Sequence, residues 1–334
     1  MKIAHLTLGV VLAFSARALA QTPENVTIGV QSFMQYTADL HEPDHYNAFD
    51  VTRGYLNITG KLSDAVSFRF TPDVQPTKDL NLNRNLTLLL AYAALYAKVS
   101  DKSTVMFGLH ETPWLTYEES VNRYRVIGPF FSERLGLIPG PTDLGASLKV
   151  TGERTEVHVG IYNGEGYGRA EQDKFKNIDG RVSFHPFSAD SEAGNVGVSV
   201  FYQYGWYAQD RPRNVLIVMG SYDKPNVAVT GQYLQATDNP FVARDIQRRG
   251  LSFFSEVRQG LTGWAGIAQA DYFQPDVLNE NDSRRRYLFG GAHWSRLGRG
   301  GRLGVVVSIS QDFQGTTTSE LTGRQLMLQT HVEF

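Results

Sequence analysis

The carboxyl-terminal segment from Gln325 to Phe334 alternates between apolar and polar side chains. Successive side chains of a β-strand point to opposite faces of the sheet, so this alternation gives the strand one apolar surface and one polar surface. A transmembrane barrel strand has this pattern, because one face meets lipid and the other meets the lumen. The apolar surface would comprise Leu326, Leu328, Val332 and Phe334, with Thr330 among them, and the polar surface Gln325, Gln329, His331 and Glu333.

The same alternation recurs along the chain and predicts an all-β fold, a transmembrane antiparallel β-barrel of about sixteen strands. The row Val196, Val198, Val200, Tyr202 and Tyr204 is the clearest case. The predicted strands are 26–40, 50–62, 65–73, 87–99, 103–110, 142–152, 155–164, 178–187, 194–208, 213–223, 226–237, 249–259, 262–274, 286–296, 302–313 and 323–334.

One segment, 86–97, could instead be read as the core of a helix. It is too short to span a membrane as a helix, and its alternation favours a strand. In that strand Leu89, Ala91, Ala93 and Leu95 would share one face, and Tyr92 and Tyr96 the other.

Composition supports a barrel over a bundle of membrane helices. The mean hydropathy is −0.27, and no segment after residue 20 has the 18 or so consecutive apolar residues that a spanning helix needs. The 16 Tyr, 19 Phe and 32 Gly fit aromatic girdles and many turns. No cysteine is present, so no disulfide contributes to the fold.

The amino terminus has the layout of a secretory signal. Lys2 precedes the apolar stretch from Ile3 to Phe14, and Ala18-Leu19-Ala20 supplies the small residues of a cleavage site. We therefore predict a signal peptide over 1–20 and the barrel domain over 21–334. Without Lys2 and Arg17 the formal charge falls from −2 to −4, which argues against nucleic acid as a partner.

Short and long connections alternate between the predicted strands. The long ones are 74–86, 111–141, 165–177, 238–248 and 275–285. Transmembrane barrels have short periplasmic turns and long extracellular loops, so both termini would lie in the periplasm. A soluble β-sandwich would have no reason to sort its connections in this way.

Four short motifs carry a family resemblance: Phe49–Tyr55 (FDVTRGY), Phe70–Asp73 (FTPD), Val159–Gly166 (VGIYNGEG) and Asp179–Ser183 (DGRVS) followed by Pro186. In their order along nearly the whole chain they resemble porins of the phosphate-selective O and P family. The resemblance implies a homotrimeric, water-filled outer-membrane channel for small hydrophilic solutes or ions, anions such as phosphate among them. The terminal Phe334 resembles the sorting signal that the barrel-assembly machinery reads.

The connection 111–141 is the third long loop, and in position and length it resembles the porin loop that folds into the lumen and narrows it. Opposed charges at such a point would filter solutes by charge. A solvated surface loop of mixed charge is the alternative. The expected constriction residues are Glu118, Glu119, Arg123, Arg125, Tyr117 and Tyr124, facing a pore wall that carries Arg53, Arg69, Lys149, Arg181 and Arg258.

No catalytic signature or cofactor motif stands out. The histidines at 110, 158, 185, 293 and 331 show no local pairing with a nucleophile or an acid, and are interpreted as isolated lumen residues. No metal site is expected. Two basic clusters, Arg284-Arg285-Arg286 and Arg244 with Arg248-Arg249, fall in predicted extracellular loops, where they would bind lipopolysaccharide phosphates, recruit anions or stay solvated. The alternatives to a channel are a non-conducting barrel with a structural or adhesive role and an outer-membrane hydrolase.

Overall fold

The structure is a computed structural model of the chain, and it describes residues 25–76, 86–171, 174–187, 191, 194–208, 211–239, 244–315 and 320–334. The predicted signal peptide, 1–20, lies outside these residues.

Strands dominate the described part of the chain. They are β1 Val26–Asp39, β2 Asn47–Lys61, β3 Val66–Pro76, β4 Leu86–Ser100, β5 Ser103–Glu111, β6 Thr142–Thr151, β7 Thr155–Tyr162, β8 Asn177–Phe184, β9 Asn195–Ala208, β10 Arg211–Lys224, β11 Val227–Asp238, β12 Ile246–Arg258, β13 Gly263–Gln274, β14 Arg284–Arg296, β15 Arg302–Gln314 and β16 Glu320–Glu333. Two short helices, α1 Leu115–Val121 and α2 Phe131–Arg134, lie between β5 and β6, and 3₁₀ turns occupy Arg125–Ile127, Glu280–Asp282 and Gly298–Gly300.

Each strand pairs antiparallel with the next one in the chain, and β16 returns to pair with β1, so the sheet closes into a sixteen-stranded barrel. The closing register runs from Gln31 opposite Glu333 to Asp39 opposite Gln325. The main chains of Val30 and Phe334 exchange hydrogen bonds of 2.9 and 3.1 Å. The predicted fold class is confirmed. β1 begins and β16 ends at the same end of the barrel, here called the terminal end; the opposite end is the loop end.

The outward face of the barrel is apolar, as the alternation predicts. Along β9, Val198, Val200 and Tyr202 are exposed, whereas Ser199 and Gln203 point inward and are buried. Within the described ranges, no helix is long and apolar enough to cross a membrane.

The prediction for β4 was wrong at Leu89 and Ala91. Leu88 and Leu95 are exposed on the outside, whereas Leu89 lies opposite the inward Asp73 and Ala91 is fully buried beside the inward Tyr92. The register with β3 shifts between Thr71 and Pro72, where the β4 partner jumps from Tyr92 to Leu90. Ala91 is therefore the extra residue of a β-bulge, which reverses the alternation on its two sides.

Connection lengths follow the predicted alternation except around β9. The β8–β9 connection at the terminal end spans 185–194, and the β9–β10 connection at the loop end spans only 209–210. Pro186 cannot donate a ladder hydrogen bond, and β8 ends at Phe184 rather than at the predicted residue 187. At the other end of β9, the register shifts between Arg211 and Pro212. This irregularity accommodates Pro212 within the strand, so β10 begins at Arg211 rather than at the predicted residue 213.

Candidate constriction site

The segment 112–141, here called L3, folds into the barrel and packs on one side of the inner wall. Trp114 lies 5.6 Å from Phe201 between ring centroids, and Phe131 lies 6.5 Å from Phe273. A Cβ atom on Gly250 would lie 2.6 Å from the Phe131 ring, so a glycine at this position lets α2 approach the wall. The predicted inward fold of the third long loop is confirmed.

Two apolar clusters hold L3 against the wall from β9 to β16. One joins residues of α1 and α2 to inward side chains of β9, β10, β11 and β13. The other joins Tyr124 and the 3₁₀ turn to β12 through β16 and to Phe33 of β1. The wall side chains in these clusters include Val215, Ile217, Met219, Leu234, Ile267, Leu288 and Val306. L3 therefore covers an extended apolar part of the lumen wall.

Ion pairs fix L3 to the wall as well. Glu119 of α1 accepts a hydrogen bond of 2.8 Å from Arg53 on β2. A buried charge that loses its partner is unfavourable. If one of these ion pairs is broken, the docked position of L3 is therefore destabilised relative to other positions of the loop. The other two pairs join Arg123 to Glu256 on β12 and Arg134 to Asp271 on β13.

Glu256 is the centre of a compact hydrogen-bond network. Its Oε1 atom accepts from Arg123 and, at 2.7 Å, from the Tyr124 hydroxyl, while Oε2 accepts from Arg258 Nη1 at 2.6 Å. The Trp294 indole donates to the Tyr124 oxygen at 3.0 Å. Tyr124 is completely buried here, which corrects the expectation that it lines the passage.

Glu118 was expected to line the constriction, but its carboxyl group is buried against β11. Gln232 Nε2 donates to Glu118 Oε1 at 2.7 Å. Among the described residues, neither Glu118 Oε2 nor Gln232 Oε1 has a hydrogen-bond partner. Burial raises the pKa of Glu118 to about 7, opposed by Gln232, Arg125 and the nearby Trp114 indole, and supported by Glu133.

Two water-accessible cavities lie on either side of L3. The inner cavity, about 780 Å³, opens toward the terminal end and is lined by Glu119, Arg123 and the turn 152–155. The outer cavity, about 1060 Å³, opens toward the loop end and is lined by Arg53, Arg125 and Glu133. Arg53 lines one cavity and its partner Glu119 lines the other, so this ion pair lies at their junction.

Tyr117 and Arg181 form part of the inner cavity. The Arg181 guanidinium carbon lies 3.8 Å from the centre of the Tyr117 ring, and Arg181 Nε donates to the Pro113 carbonyl oxygen at 2.7 Å. Arg181 also pairs with Glu156, which bonds Lys149 at 3.3 Å.

The remaining expected residues are distributed over both cavities and the wall. Arg258 lines the inner cavity and also pairs with Asp223 at 2.8 Å. Arg125 lines the outer cavity and is paired within L3 to Glu133. Arg69 faces inward but lies flat on the Tyr92 ring, 3.4 Å from its centre, and lines neither cavity.

Two histidines expected to be isolated share one partner. His110 Nε2 lies 2.8 Å from Ser147 Oγ, and His158 Nε2 lies 3.0 Å from the same oxygen. The other ring nitrogen of His110 contacts the Gly108 carbonyl oxygen rather than a carboxylate. The serine and His110 are buried, so the group lacks the orienting acid and the access that nucleophilic catalysis requires. In the described part of the chain, no cluster of His, Asp and Glu is suited to hold a metal ion.

Sequence reasoning did not identify Gln232, Glu256 and Asp271 as anchors of L3. A usable signal exists in β10, where Val215, Leu216, Ile217, Val218 and Met219 are consecutive apolar residues. A strand with lipid outside and water inside should alternate, so a continuous apolar run indicates that its inner face is covered as well.

Comparisons with known proteins support the fold and no closer relationship. No protein-family model matches the chain, and no curated protein sequence matches it. The chain is similar in structure to the anion-selective porin of Comamonas acidovorans, with a TM-score of 0.66, 13% identity, and coverage of 92% of this chain and 98% of that one. The outer-membrane-expressed OmpT of Vibrio cholerae gives a TM-score of 0.65 at 9% identity, covering 92% and 97%.

Salmonella typhi OmpF, solved with daunomycin, gives a TM-score of 0.63 at 11% identity, covering 93% of this chain and 98% of that one. At these identities the likeness concerns the fold, and the resemblance to the O and P family is not confirmed. The closed barrel, its apolar exterior and its inward loop indicate a bacterial outer-membrane protein with the porin fold.

Proposed function

We propose that this protein is a passive diffusion channel of the bacterial outer membrane for small hydrophilic solutes or ions. The observation that carries the proposal is the pair of polar cavities, one open to each end of the barrel, that meet at Arg53 and Glu119. A solute crossing the barrel would pass between L3 and the wall that carries Arg53. The chain would act without a cofactor and without catalysis.

Charge at the junction would set the ion preference. Acidic and basic side chains line both cavities, so the wall as a whole favours neither sign strongly. A single charge changes the energy of an ion 4 Å away by about 1 kcal/mol in water, which alters the local ion concentration roughly fivefold. The 111–141 segment has four Glu and no Lys, so we propose phosphate as one possible solute among small anions and not as a preferred one.

The test is conductance and reversal potential of the purified protein in a planar lipid bilayer under a salt gradient. The wild type should open in discrete steps. Glu119→Gln should move the reversal potential toward anion preference, and Arg53→Gln should move it toward cation preference. Arg69→Gln is the matched control, because Arg69 is on the neighbouring strand and lines neither cavity.

A folded barrel that never conducts would overturn the channel proposal and favour a structural or adhesive role. Equal shifts in all three variants would show that the junction is not the filter.

We propose a homotrimer as well, since one similar structure is a trimer form of OmpT of Vibrio cholerae, with a TM-score of 0.54 and 9% identity. Insertion into the membrane would use the barrel-assembly machinery, which would read Phe334 at the exposed end of β16. Deletion of Phe334 should then lower the amount of folded protein in the outer membrane without changing the conductance of the molecules that insert.

A further inference from the structure

The two basic clusters contain six arginines, and four of these are neutralised by aspartates. The neutralised residues are Arg244 with Asp276, Arg248 with Asp238, Arg284 with Asp282 and Arg286 with Asp312. The other two, Arg249 and Arg285, have no carboxylate partner within the described residues. Instead, Arg249 donates to the Gln274 side chain at 2.8 Å, and Arg285 donates to the Gly315 carbonyl oxygen at 2.9 Å.

The clusters lie on strands rather than in the loops where the sequence placed them, apart from Arg244. This position gives Arg249 and Arg285 a defined direction. Arg249 shares the outer face of β12 with the exposed Leu251, and Arg285 shares the outer face of β14 with the exposed Tyr287. Both arginines therefore point away from the lumen, near the loop end of their strands.

Arg249 and Arg285 lie two strands apart on the same part of the outer surface. Leu251 pairs with Tyr272 of β13, and Tyr272 pairs with Arg285, while Arg249 is one outward position farther toward the loop end. One strand separates β12 from β14, so the two backbones are about 10 Å apart. Each arginine has five N–H donors and uses only part of them in the contacts above.

An apolar groove of about 590 Å³ lies on the outer surface beside Arg285. Its floor includes Gly220 and Gly231, which face each other across β10 and β11. A Cβ atom on Gly220 would meet nothing within 4 Å, so the groove exists because side chains are missing there. Tyr233, Leu251, Phe253, Tyr272 and Tyr287 form its sides.

We propose that this surface binds a phosphorylated, acylated lipid of the outer leaflet, with phosphate on Arg249 and Arg285 and an acyl chain in the groove over Gly220 and Gly231. Arginine binds phosphate through paired, charge-assisted hydrogen bonds, and basic side chains at a membrane surface attract anionic lipids. The two guanidinium groups beside the groove favour an anionic occupant, and for this reason we infer a phosphorylated lipid rather than a second copy of the chain. The proposal rests on the outer-membrane placement and does not depend on conduction.

The test is binding of defined probes to the folded, full-length protein in detergent, measured by native mass spectrometry and calorimetry. The probes are bis-phosphorylated lipid A, the same lipid without phosphates, and inorganic phosphate. The wild type should prefer the phosphorylated lipid. Arg249→Gln and Arg285→Gln should each weaken its binding roughly tenfold, as expected for loss of a charge-assisted bond. Arg244→Gln with Arg284→Gln is the matched control and should bind as the wild type does.

Gly220→Leu tests the groove, because its side chain fits the open space and fills it. It should weaken lipid binding and leave any binding of inorganic phosphate unchanged. Unchanged lipid affinity in the Arg249→Gln, Arg285→Gln double variant would overturn the proposal. So would a Gly220→Leu protein that binds lipid normally but loses its oligomeric state, since the groove would then be a subunit interface. Channel activity is recorded separately, so a non-conducting protein that binds the lipid would sink only the proposed function.

Discussion

Replacing Glu118 by glutamine is expected to remove a pH dependence from the docking of L3. In the wild type, the Glu118 carboxyl group is buried between α1 and β11 and is held by Gln232. Burial raises its pKa from 4.5 to about 7. A carboxyl group that is neutral when docked must ionise in place, or leave the wall, when the pH rises.

The sign and size of the effect follow from the two pKa values. Below pH 4.5 the group is neutral whether L3 is docked or released, so its docking contribution is fully present. The docked state binds the proton more tightly than the released state, and its advantage falls as the pH rises from 4.5 through 7. At 1.36 kcal/mol per pKa unit, the loss is about 3 kcal/mol above pH 7, or several hundredfold in the ratio of docked to released loop.

Amide hydrogen exchange of α1 measures this ratio directly. The Glu118 amide bonds the Trp114 carbonyl oxygen, and the Asn122 amide bonds the Glu118 carbonyl oxygen, so both report on opening of the helix. After correction for the chemical exchange rate, wild-type protection should fall by roughly seventyfold between pH 5 and pH 8, because part of the total effect is already lost at pH 5. Glu118→Gln should keep its protection constant over that range.

The control is Glu153→Gln, an exposed glutamate in a turn at the terminal end, which should behave as the wild type does. Because the chain has no cysteine, a spin label on Ser120→Cys, on the exposed side of α1, gives a second readout of loop mobility. Equal pH slopes in the wild type and in Glu118→Gln would refute the assignment of the effect to this carboxyl group.

Three further predictions concern the loop and the barrel. Exchanging the charges at the junction, Arg53→Glu with Glu119→Arg, should preserve conductance better than either single change, measured in planar bilayers, because the pair is re-formed with reversed polarity. Gly250→Leu should displace Phe131 and release α2, giving faster hydrogen exchange in L3 and a larger conductance; an unchanged loop would contradict the close packing at this glycine. Leu328→Arg, on the lipid-facing side of β16, should destabilise the folded barrel by about 2–4 kcal/mol near the membrane centre, measured by denaturant titration in lipid vesicles against Leu328→Ile.

The sequence predicted the barrel well because alternation is a local property. Strand β9 was expected at 194–208 and occupies Asn195–Ala208, and the lipid-facing Val198 and Val200 lie as predicted. Local patterns were insufficient where the ladder itself is irregular. The bulge at Ala91 reverses the alternation without any change in side-chain type, so only the pairing with β3 reveals it.

The anchors of L3 could not be obtained in the same way, because they join segments that are distant in the chain. Glu118 meets Gln232, 114 residues away, and Arg123 meets Glu256, 133 residues away. The loop composition indicates that charges are present but not which of them will be paired. The apolar inner faces of β10 to β15 determine where L3 docks, and therefore which charges become paired, because L3 covers these strands and leaves the wall with Arg53 open.

The adjacent residues Glu118 and Glu119 show how the docking position of L3 would determine function. Consecutive residues on a helix point about 100° apart, so α1 cannot turn both carboxylates to the same surroundings. Once the apolar side of α1 is pressed on the wall, Glu118 is buried beside Gln232 and Glu119 faces the cavities and Arg53. The first carboxyl group would then control whether the loop stays docked, and the second would control which ions pass. Rotation of α1 by a single residue would bury Glu119 in the place of Glu118 and turn Ser120 toward Arg53, and apolar packing rather than charge is what prevents it.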